Sequence, residues 1–307
     1  MKRAVKISLA AAGILTVLGL ASLGIGLMLG GGGHIPRSMG AFPILRLFTH
    51  GDTPASPAAG SAHGSEEQDF HEVKNLILDF SCCDLKILEH EEDYISLSAS
   101  NTQDTFTMEQ HGQDLILEDH RTFLGDDADA YPDMALQLTL LLPADGLDTL
   151  DISLDLGDVE TETLSAGTVT VFCSLGSMKA ERVLAEDAEF RFDLGDLELE
   201  RLQVTGSASI DASCGDIDLK SYKGPELNLT CNLGNASVTA EGREQDYNYE
   251  LVCDLGKARL NGQHHNGHHG SGHDLVGCHI TQDNQAACHI YAACSMGGLD
   301  LNFSEED

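Results

Sequence analysis

The amino-acid sequence predicts an all-β protein: a single-stack β-solenoid, parallel β-helix-like with about 20 residues per coil, preceded by an N-terminal transmembrane helix. The prediction rests on a recurring phrase, in which a short apolar strand ends at a glycine and a second strand begins directly after it. The glycines lie 19, 19, 20, 19, 22 and 41 residues apart: Gly157, Gly176, Gly195, Gly215, Gly234, Gly256 and Gly297. Units this short bury their apolar faces only by stacking on one another.

Apolar residues keep fixed distances from these structural corner glycines. Counted from each glycine, positions −3, −1, +2 and +4 are mostly apolar, which predicts two strands of period 2 joined by a tight corner. Leu194, at position −1, is therefore expected to point inward, where a charged replacement would cost several kcal/mol. Position −2 alternates aspartate with small neutral residues. Because like charges on adjacent coils repel, this alternation, which separates the aspartates, is compatible with a stacked register.

The chain divides into three parts. Residues 1–29 hold a cytoplasmic basic end and a signal anchor, whose apolar run 7–29 is long enough to cross a bilayer at about 1.5 Å per residue. Residues 30–69 have the composition of a flexible linker, and residues 70–307 form the extracytoplasmic β-solenoid. Its expected parts are a β-rich cap at 70–149, regular coils at 150–262, a His-rich insertion at 263–287 and a last coil at 288–303.

Charge and composition exclude several functions. The chain has 17 basic and 50 acidic residues and a net charge of −33, so nucleic acid and bare anionic lipid are poor partners. We find no nucleophile elbow, phosphate loop or HExxH motif, and we expect no catalytic or cofactor-binding residues. Asp155 and Asp193 would lie about 9.6 Å apart on alternate coils, at the wide edge of the inverting-glycosidase range, which leaves a polysaccharide-active β-helix as a remote alternative.

Histidines form the candidate metal site. Imidazole is a common ligand for zinc and nickel, and a glycine-rich loop can fold its histidines around one ion. The alternative is a solvated low-complexity insertion. The candidate ligands are His264, His265, His268, His269 and His273, with His279, His289, Cys278, Cys288 and Cys294 as the neighbours able to join them.

Cysteines and aspartates of the repeat have structural interpretations. No C-x-x-C spacing is present, and four cysteines fall in the −3 row as small apolar fillers. Of these, Cys231 and Cys253 are expected on adjacent coils about 4.8 Å apart, within the Cα range of a disulfide, so a disulfide and a pair of buried thiols both stay open. The aspartates that follow the glycines are expected to satisfy corner N–H groups rather than to bind calcium; they are Asp158, Asp196 and Asp216.

Residues 138–160, LTLLLPADGLDTLDISLDLGDVE, with the Gly-Asp corners that follow, resemble the bacterial membrane-anchored β-strand-repeat family of adhesin-like proteins, over about residues 70–303. The resemblance implies a surface-exposed, membrane-tethered solenoid without catalytic residues. The expected function is a non-enzymatic scaffold at the cell surface, single-pass in the cell membrane, that contacts an unknown protein or envelope partner. The alternative of another class is a metal-binding surface protein that uses the loop 264–273.

Overall fold

The computed structural model describes residues 64–121, 135–265 and 277–304. The described residues form 20 strands and one 3-10 turn at Glu244–Asp246. None of their helices has the length and apolar character needed to cross a bilayer. The predicted anchor at 1–29 and the linker up to residue 63 lie outside the described residues.

The strands, in chain order, are β1 (Gly64–His71), β2 (Asn75–Phe80), β3 (Cys83–His90), β4 (Tyr94–Thr102), β5 (Phe106–His111), β6 (Asp114–Asp119), β7 (Leu136–Pro143), β8 (Leu147–Leu156), β9 (Val159–Leu175), β10 (Met178–Leu194), β11 (Leu197–Leu199), β12 (Leu202–Val204), β13 (Ser207–Cys214), β14 (Ile217–Lys223), β15 (Glu226–Leu233), β16 (Ala236–Glu241), β17 (Tyr247–Leu260), β18 (Gln263–His265), β19 (Cys278–Gln282) and β20 (Cys288–Ser304). Because β1 begins at Gly64, the predicted linker is six residues too long at its end. Side chains of β1 are exposed except that of Phe70, so the composition of this strand resembles that of a linker.

Each coil is a flattened loop with two broad sides. One strand follows the corner glycine, the chain turns, and a second strand returns to the next glycine. Coils stack in parallel register, so that Phe192 pairs with Cys173 on one side and Ala212 on the other. The side chains at positions −3, +2 and +4 are buried between the two broad sides, which confirms these three rows of the predicted core.

The −1 row points outward, contrary to the prediction. Leu194 is 41% exposed, whereas Phe192 at position −3 is fully buried. The strands run up to position −1, where Leu194 pairs with Leu175, but the change of direction falls between positions −3 and −1, so period-2 alternation does not extend to the glycine. The large loss of stability expected from a charged substitution therefore applies to Phe192 and not to Leu194.

Paired substitutions test this register. Phe192→Asp is expected to destabilise the protein by more than about 4 kcal/mol, since it removes a buried aromatic ring and buries an unpaired carboxylate. Leu194→Asp is the matched control, and it should change stability by less than about 1 kcal/mol because its carboxylate reaches water. Denaturant unfolding of both variants measures the difference. Equal losses would contradict the register.

The coils do not stack in chain order at the C-terminal end. The last coil, β20, pairs in parallel with β15 and β16 on one side and with β17 on the other. Its alignment with β17 is as predicted, since Tyr247 pairs with Cys288 and Leu260 with Leu301. However, Cys294 lies between Cys231 and Cys253, so the expectation that these two cysteines occupy adjacent coils is wrong.

The N-terminal end has the same kind of insertion. The coil made by β2 and β3 lies between β6 and β7 on one side and β8 and β9 on the other. Beyond it, β1, β4 and β5 add antiparallel strands, as the predicted β-rich cap requires. The glycine slot of this first coil holds Cys83, as the alignment of Leu85 with Val159 shows.

Strands β18 and β19 close the other end. Both pair antiparallel with β17. In the described part of the 41-residue gap between Gly256 and Gly297, the chain therefore returns along the outer edge of β17 in antiparallel strands rather than as a parallel coil. In the described residues, antiparallel strands cover part of the outermost parallel strands at both ends, which limits edge-to-edge association.

Candidate interaction surface

Corner glycines are stacked so closely that only glycine fits. A Cβ on Gly215 would lie 1.9 Å from the carbonyl oxygen of Gly195, and φ at Gly215 is +145°. The same contact repeats from coil to coil and passes through the inserted one, where a Cβ on Gly297 would lie 1.6 Å from the Gly234 oxygen. The seventh corner glycine, Gly256, lacks the positive φ of the others but meets the Gly297 oxygen in the same way.

A hydrogen-bonded ladder of side chains fixes the corners on one side. Asp158 Oδ1 accepts from the backbone N–H of Ser177 at 2.8 Å, and Asp196 Oδ1 accepts from that of Asp216 at 2.7 Å. Asp216 Oδ1 accepts from the Asn235 N–H at 2.7 Å. The prediction that these aspartates satisfy corner N–H groups is thus confirmed.

A pair of substitutions at Asp216 separates this hydrogen bond from its charge. Asp216→Ala should cost about 1 kcal/mol, because the Asn235 N–H loses its acceptor. Asp216→Asn should be nearly neutral, since Asn235 already plays this role one coil further on, where its Oδ1 accepts from the Gly298 N–H at 3.0 Å. Thermal unfolding distinguishes the two variants. Similar melting temperatures for both would show that the hydrogen bond contributes little.

The −1 row forms an exposed apolar ridge at the corner, which we call the corner ladder. Its neighbouring members are paired across adjacent strands through the whole stack. In the described residues seven large apolar side chains are exposed, and five of them belong to this ridge, between 38% and 49% exposed. The members in stacking order are Leu156, Leu175, Leu194, Cys214, Leu233, Met296 and Leu255.

Acidic residues line both sides of the corner ladder. Positions −2 and +1 hold six aspartates and one basic residue, Lys257. Burial is the main cause that raises the pKa of Asp193, and nearby Arg191 opposes it. The aspartates are Asp155, Asp193 and Asp254 on one side and Asp158, Asp196 and Asp216 on the other. The surface is therefore an apolar ridge between two acidic flanks.

One broad side carries a different, ion-paired surface. A cavity of about 620 Å³ is lined there by Lys179, Arg182, Arg201, Glu181, Glu200 and Ser221. Lys220 Nζ lies 2.6 Å from Glu198 and 2.5 Å from Glu200, and Arg201 pairs with Glu241 at 3.5 Å. Opposite charges on neighbouring strands stabilise a sheet, so this arrangement has a structural explanation.

Candidate metal ligands at the histidine-rich end are only partly described. His264 lies in β18 and is exposed, His265 ends that strand, and His268, His269 and His273 lie outside the described residues. His279 in β19 contacts Glu250 at 2.8 Å with 59% of its side chain exposed, whereas the adjacent Cys278 is buried. Because they alternate on one strand, Cys278 and His279 face opposite ways, and the cysteine does not join the histidine at one ion.

A second group with metal-binding side chains was missed by the sequence reasoning. The ligand atoms of Asp79, Glu118 and His120 lie within 4.8 Å of one another on the surface. Asp79 and Glu118 are cross-strand partners in β2 and β6. No sequence signal brings them together, because 39 residues separate two strands whose pairing depends on the cap.

The buried cysteines have structural roles. The thiol of Cys231 donates to the Gly215 carbonyl at 3.6 Å, and that of Cys253 donates to the Gly297 carbonyl at 3.6 Å. These thiols are free and buried, as the apolar-filler interpretation expects. The small polarisable side chain fills position −3 and also reaches a corner carbonyl.

Burial should make Cys173 and Cys253 unreactive. It raises the pKa of Cys173 to about 12 and that of Cys253 to about 11. At pH 8 both are protonated, and alkylation requires the thiolate. We therefore expect iodoacetamide at pH 8 to modify the half-buried Cys214 and Cys288 first. Mass spectrometry of the native protein checks the order, and early labelling of Cys173 would contradict the packing.

Stacked coils of two strands with glycine corners define this chain as a β-strand-repeat solenoid. The family profile described as Toastrack DUF4097 matches residues 73–261, and the chain belongs to this family. The predicted family relationship is thereby confirmed. No functionally curated protein matches the chain significantly.

The chain is similar to several solved structures at low sequence identity. A putative adhesin from Bacteroides fragilis is 11% identical, with 78% of this chain and 97% of that chain covered and a TM-score of 0.39. A putative adhesin from Parabacteroides distasonis is 13% identical, with 80% and 98% covered and a TM-score of 0.39. A putative lipid binding protein from Parabacteroides distasonis is 11% identical, with 80% and 98% covered and a TM-score of 0.35.

Proposed function

We propose that the protein is a non-enzymatic, membrane-tethered scaffold at the cell surface, adhesin-like or envelope-associated, which works by contact through the corner ladder. The observation that carries the proposal is the apolar ridge, which is paired from coil to coil and has five exposed members. Monomeric soluble proteins seldom expose contiguous apolar surface without using it for interaction. Backbone hydrogen bonding does not require leucine at the −1 position, and the side chain there leaves two-fifths of its surface open to a partner.

Apolar side chains in this ridge are available for burial. Full burial of a leucine or methionine contributes about 1.5–3 kcal/mol, so a partner that covers the exposed two-fifths of five such side chains gains roughly 3–6 kcal/mol before the costs of association. This range suits a contact that forms and dissociates, or one that repeated copies on a surface strengthen by multivalency.

The tether belongs to the same proposal. The apolar run 7–29 with basic residues before it supports an N-in single-pass anchor, and the composition of the next residues supports a spacer. A solenoid held in this way would display its ridge outside the membrane.

Ladder variants on cells test the proposal. The triple substitution of Leu175, Leu194 and Leu233 by serine should abolish co-purification of envelope partners after chemical cross-linking of intact cells. The matched control replaces Asn228, Ser209 and Thr170 on a broad side by alanine. The proposal fails if the ladder variant retains its partners, or if protease added outside intact cells leaves the solenoid uncleaved while permeabilised cells allow cleavage.

Metal binding by the histidine loop is the second candidate. One observation favours it: β18 and β19, which carry His264 and His279, both lie against β17 at the same end of the stack. The test is calorimetric titration of zinc and nickel into the parent and into a variant with residues His264, His265, His268, His269 and His273 changed to asparagine. Substitution is preferable to deletion of 263–287, because deletion removes β19 and exposes the edge of β17.

A further inference from the structure

We propose that the corner ladder binds a cationic protein segment that is apolar along one face, such as an amphipathic helix rich in lysine and arginine. This inference rests on the proposed function and names the class of its partner. It follows from the charge, length and spacing of the ridge.

The negative charge beside the ridge favours a positively charged partner. The apolar ridge has six aspartates and one lysine along its flanks, and the whole chain has a net charge of −33. A second copy docked ridge to ridge would bring two sets of flanking aspartates together, which like-charge repulsion disfavours. Lysine or arginine side chains reach past an apolar contact to such carboxylates, since their stems pack on apolar surface while the charged ends stay hydrated.

Length and spacing favour a helix over an extended strand. Seven rungs make six steps of about 4.8 Å, so the ridge is about 29 Å long, the length of a helix of about 19 residues. A helix presents its apolar face once per turn, about every 5.4 Å, which is close to the rung spacing. An extended strand places same-face side chains about 6.7 Å apart, so its side chains lose alignment with the rungs after fewer steps.

The acidic residues are not evenly distributed along the ridge. Five of the six aspartates flank the rungs from Leu156 to Cys214, whereas the rungs of Leu233 and Met296 have only Asn, Ser and Gly beside them. The last rung, Leu255, is flanked by Asp254 and Lys257. We therefore expect the cationic residues of the partner to contact the half of the ridge nearer the N-terminal cap, and its other half to contribute apolar contacts.

The structure also offers a charge variant with intact corners. Asp196 and Asp216 accept backbone N–H groups of the next coil, and asparagine keeps an acceptor at that place, as Asn235 shows. Asp196→Asn with Asp216→Asn therefore removes two charges from the ridge and preserves its hydrogen bonds. The triple serine variant of Leu175, Leu194 and Leu233 removes the apolar contact and preserves the charges.

Fluorescence anisotropy with the purified full-length protein tests the inference. The probe is a synthetic peptide of about 18 residues, with leucine at helical spacing on one face and lysine elsewhere. Its controls are the same peptide with glutamate for lysine, and a lysine homopolymer of equal charge. We expect the Leu/Lys peptide to bind, with an affinity about tenfold lower for the serine variant and several-fold lower for the double asparagine variant or when salt rises from about 50 to about 300 mM.

Other outcomes overturn the inference. No binding of the Leu/Lys peptide, equal binding by the serine variant, or equal binding of the lysine homopolymer would exclude specific recognition of a cationic amphipathic segment. Ladder-dependent binding to neutral phosphatidylcholine vesicles without peptide binding would identify a lipid surface as the occupant. If the peptide fails while cross-linking on cells still depends on the ladder, the contact function stands and the partner class is wrong.

Discussion

Replacing Gly215 by alanine is expected to destabilise the protein by at least about 3 kcal/mol, enough to prevent cooperative folding of the central coils. The added Cβ would lie 1.9 Å from the Gly195 carbonyl oxygen, and φ at this position is +145°. The two atoms nearest the added Cβ belong to the backbone of Gly195, which the parallel stack holds in place. The clash can therefore be relieved only by separating two coils. Denaturant unfolding followed by far-UV circular dichroism measures the loss.

Gly262→Ala provides the matched control. This glycine also has a positive φ, +71°, but nothing lies within 4 Å of the added Cβ. Only the conformational cost of alanine in a left-handed region remains, about 1 kcal/mol. If both variants lose the same stability, steric exclusion between stacked corners is not what requires glycine.

Removing residues 288–307 is expected to unfold the C-terminal part of the stack. Ile290, Leu299 and Leu301 are at most 2% exposed, and loss of these three side chains alone forfeits about 4.5–9 kcal/mol. The loss should spread, because the inserted β20 supplies the pairing partner of β15 and β16 on one side and of β17 on the other. Hydrogen exchange of the truncated protein should show rapid exchange in β15, β16 and β17.

Chain-order stacking predicts a different result for the same truncation. The last coil would then be an outermost layer, and only its immediate neighbour would lose protection. Slow exchange retained in β15 and β16 of the truncated protein would contradict insertion of β20. A substitution on the outermost strand, Ile280→Ala, is the control and should affect β17 and β19 alone.

The repeat itself was predictable from the sequence because steric exclusion at the corner leaves a direct signature. From Gly176 onward only glycine fits where one corner touches the next, so the glycine period reports the register, and the −3, +2 and +4 rows follow from it. The order of the coils leaves no such signature. Cys231, Cys294 and Cys253 occupy equivalent rungs, and each pairing satisfies the same pattern.

The outward position of the corner ladder escaped the sequence reasoning for a related reason. Leucine at position −1 looks like a core residue when strand alternation is extended up to the glycine. The corner interrupts that alternation, and the polar residues at −2 and +1, such as Asp193 and Asp196 beside Leu194, are the available signal that the leucine lies at the corner. Long-range groups such as Asp79, Glu118 and His120 depend on cap pairing, which a single sequence does not specify.

Site-specific photocrosslinking on intact cells tests the central claim most directly. A photoreactive amino acid at position 194 places the probe on the corner ladder, and one at position 209 places it on a broad side of the same fold. We predict covalent adducts with a partner from position 194, absent from position 209 and lost when Leu175 and Leu233 are serine. Adducts of equal yield from both positions, or from position 209 alone, would contradict a contact function of the ladder.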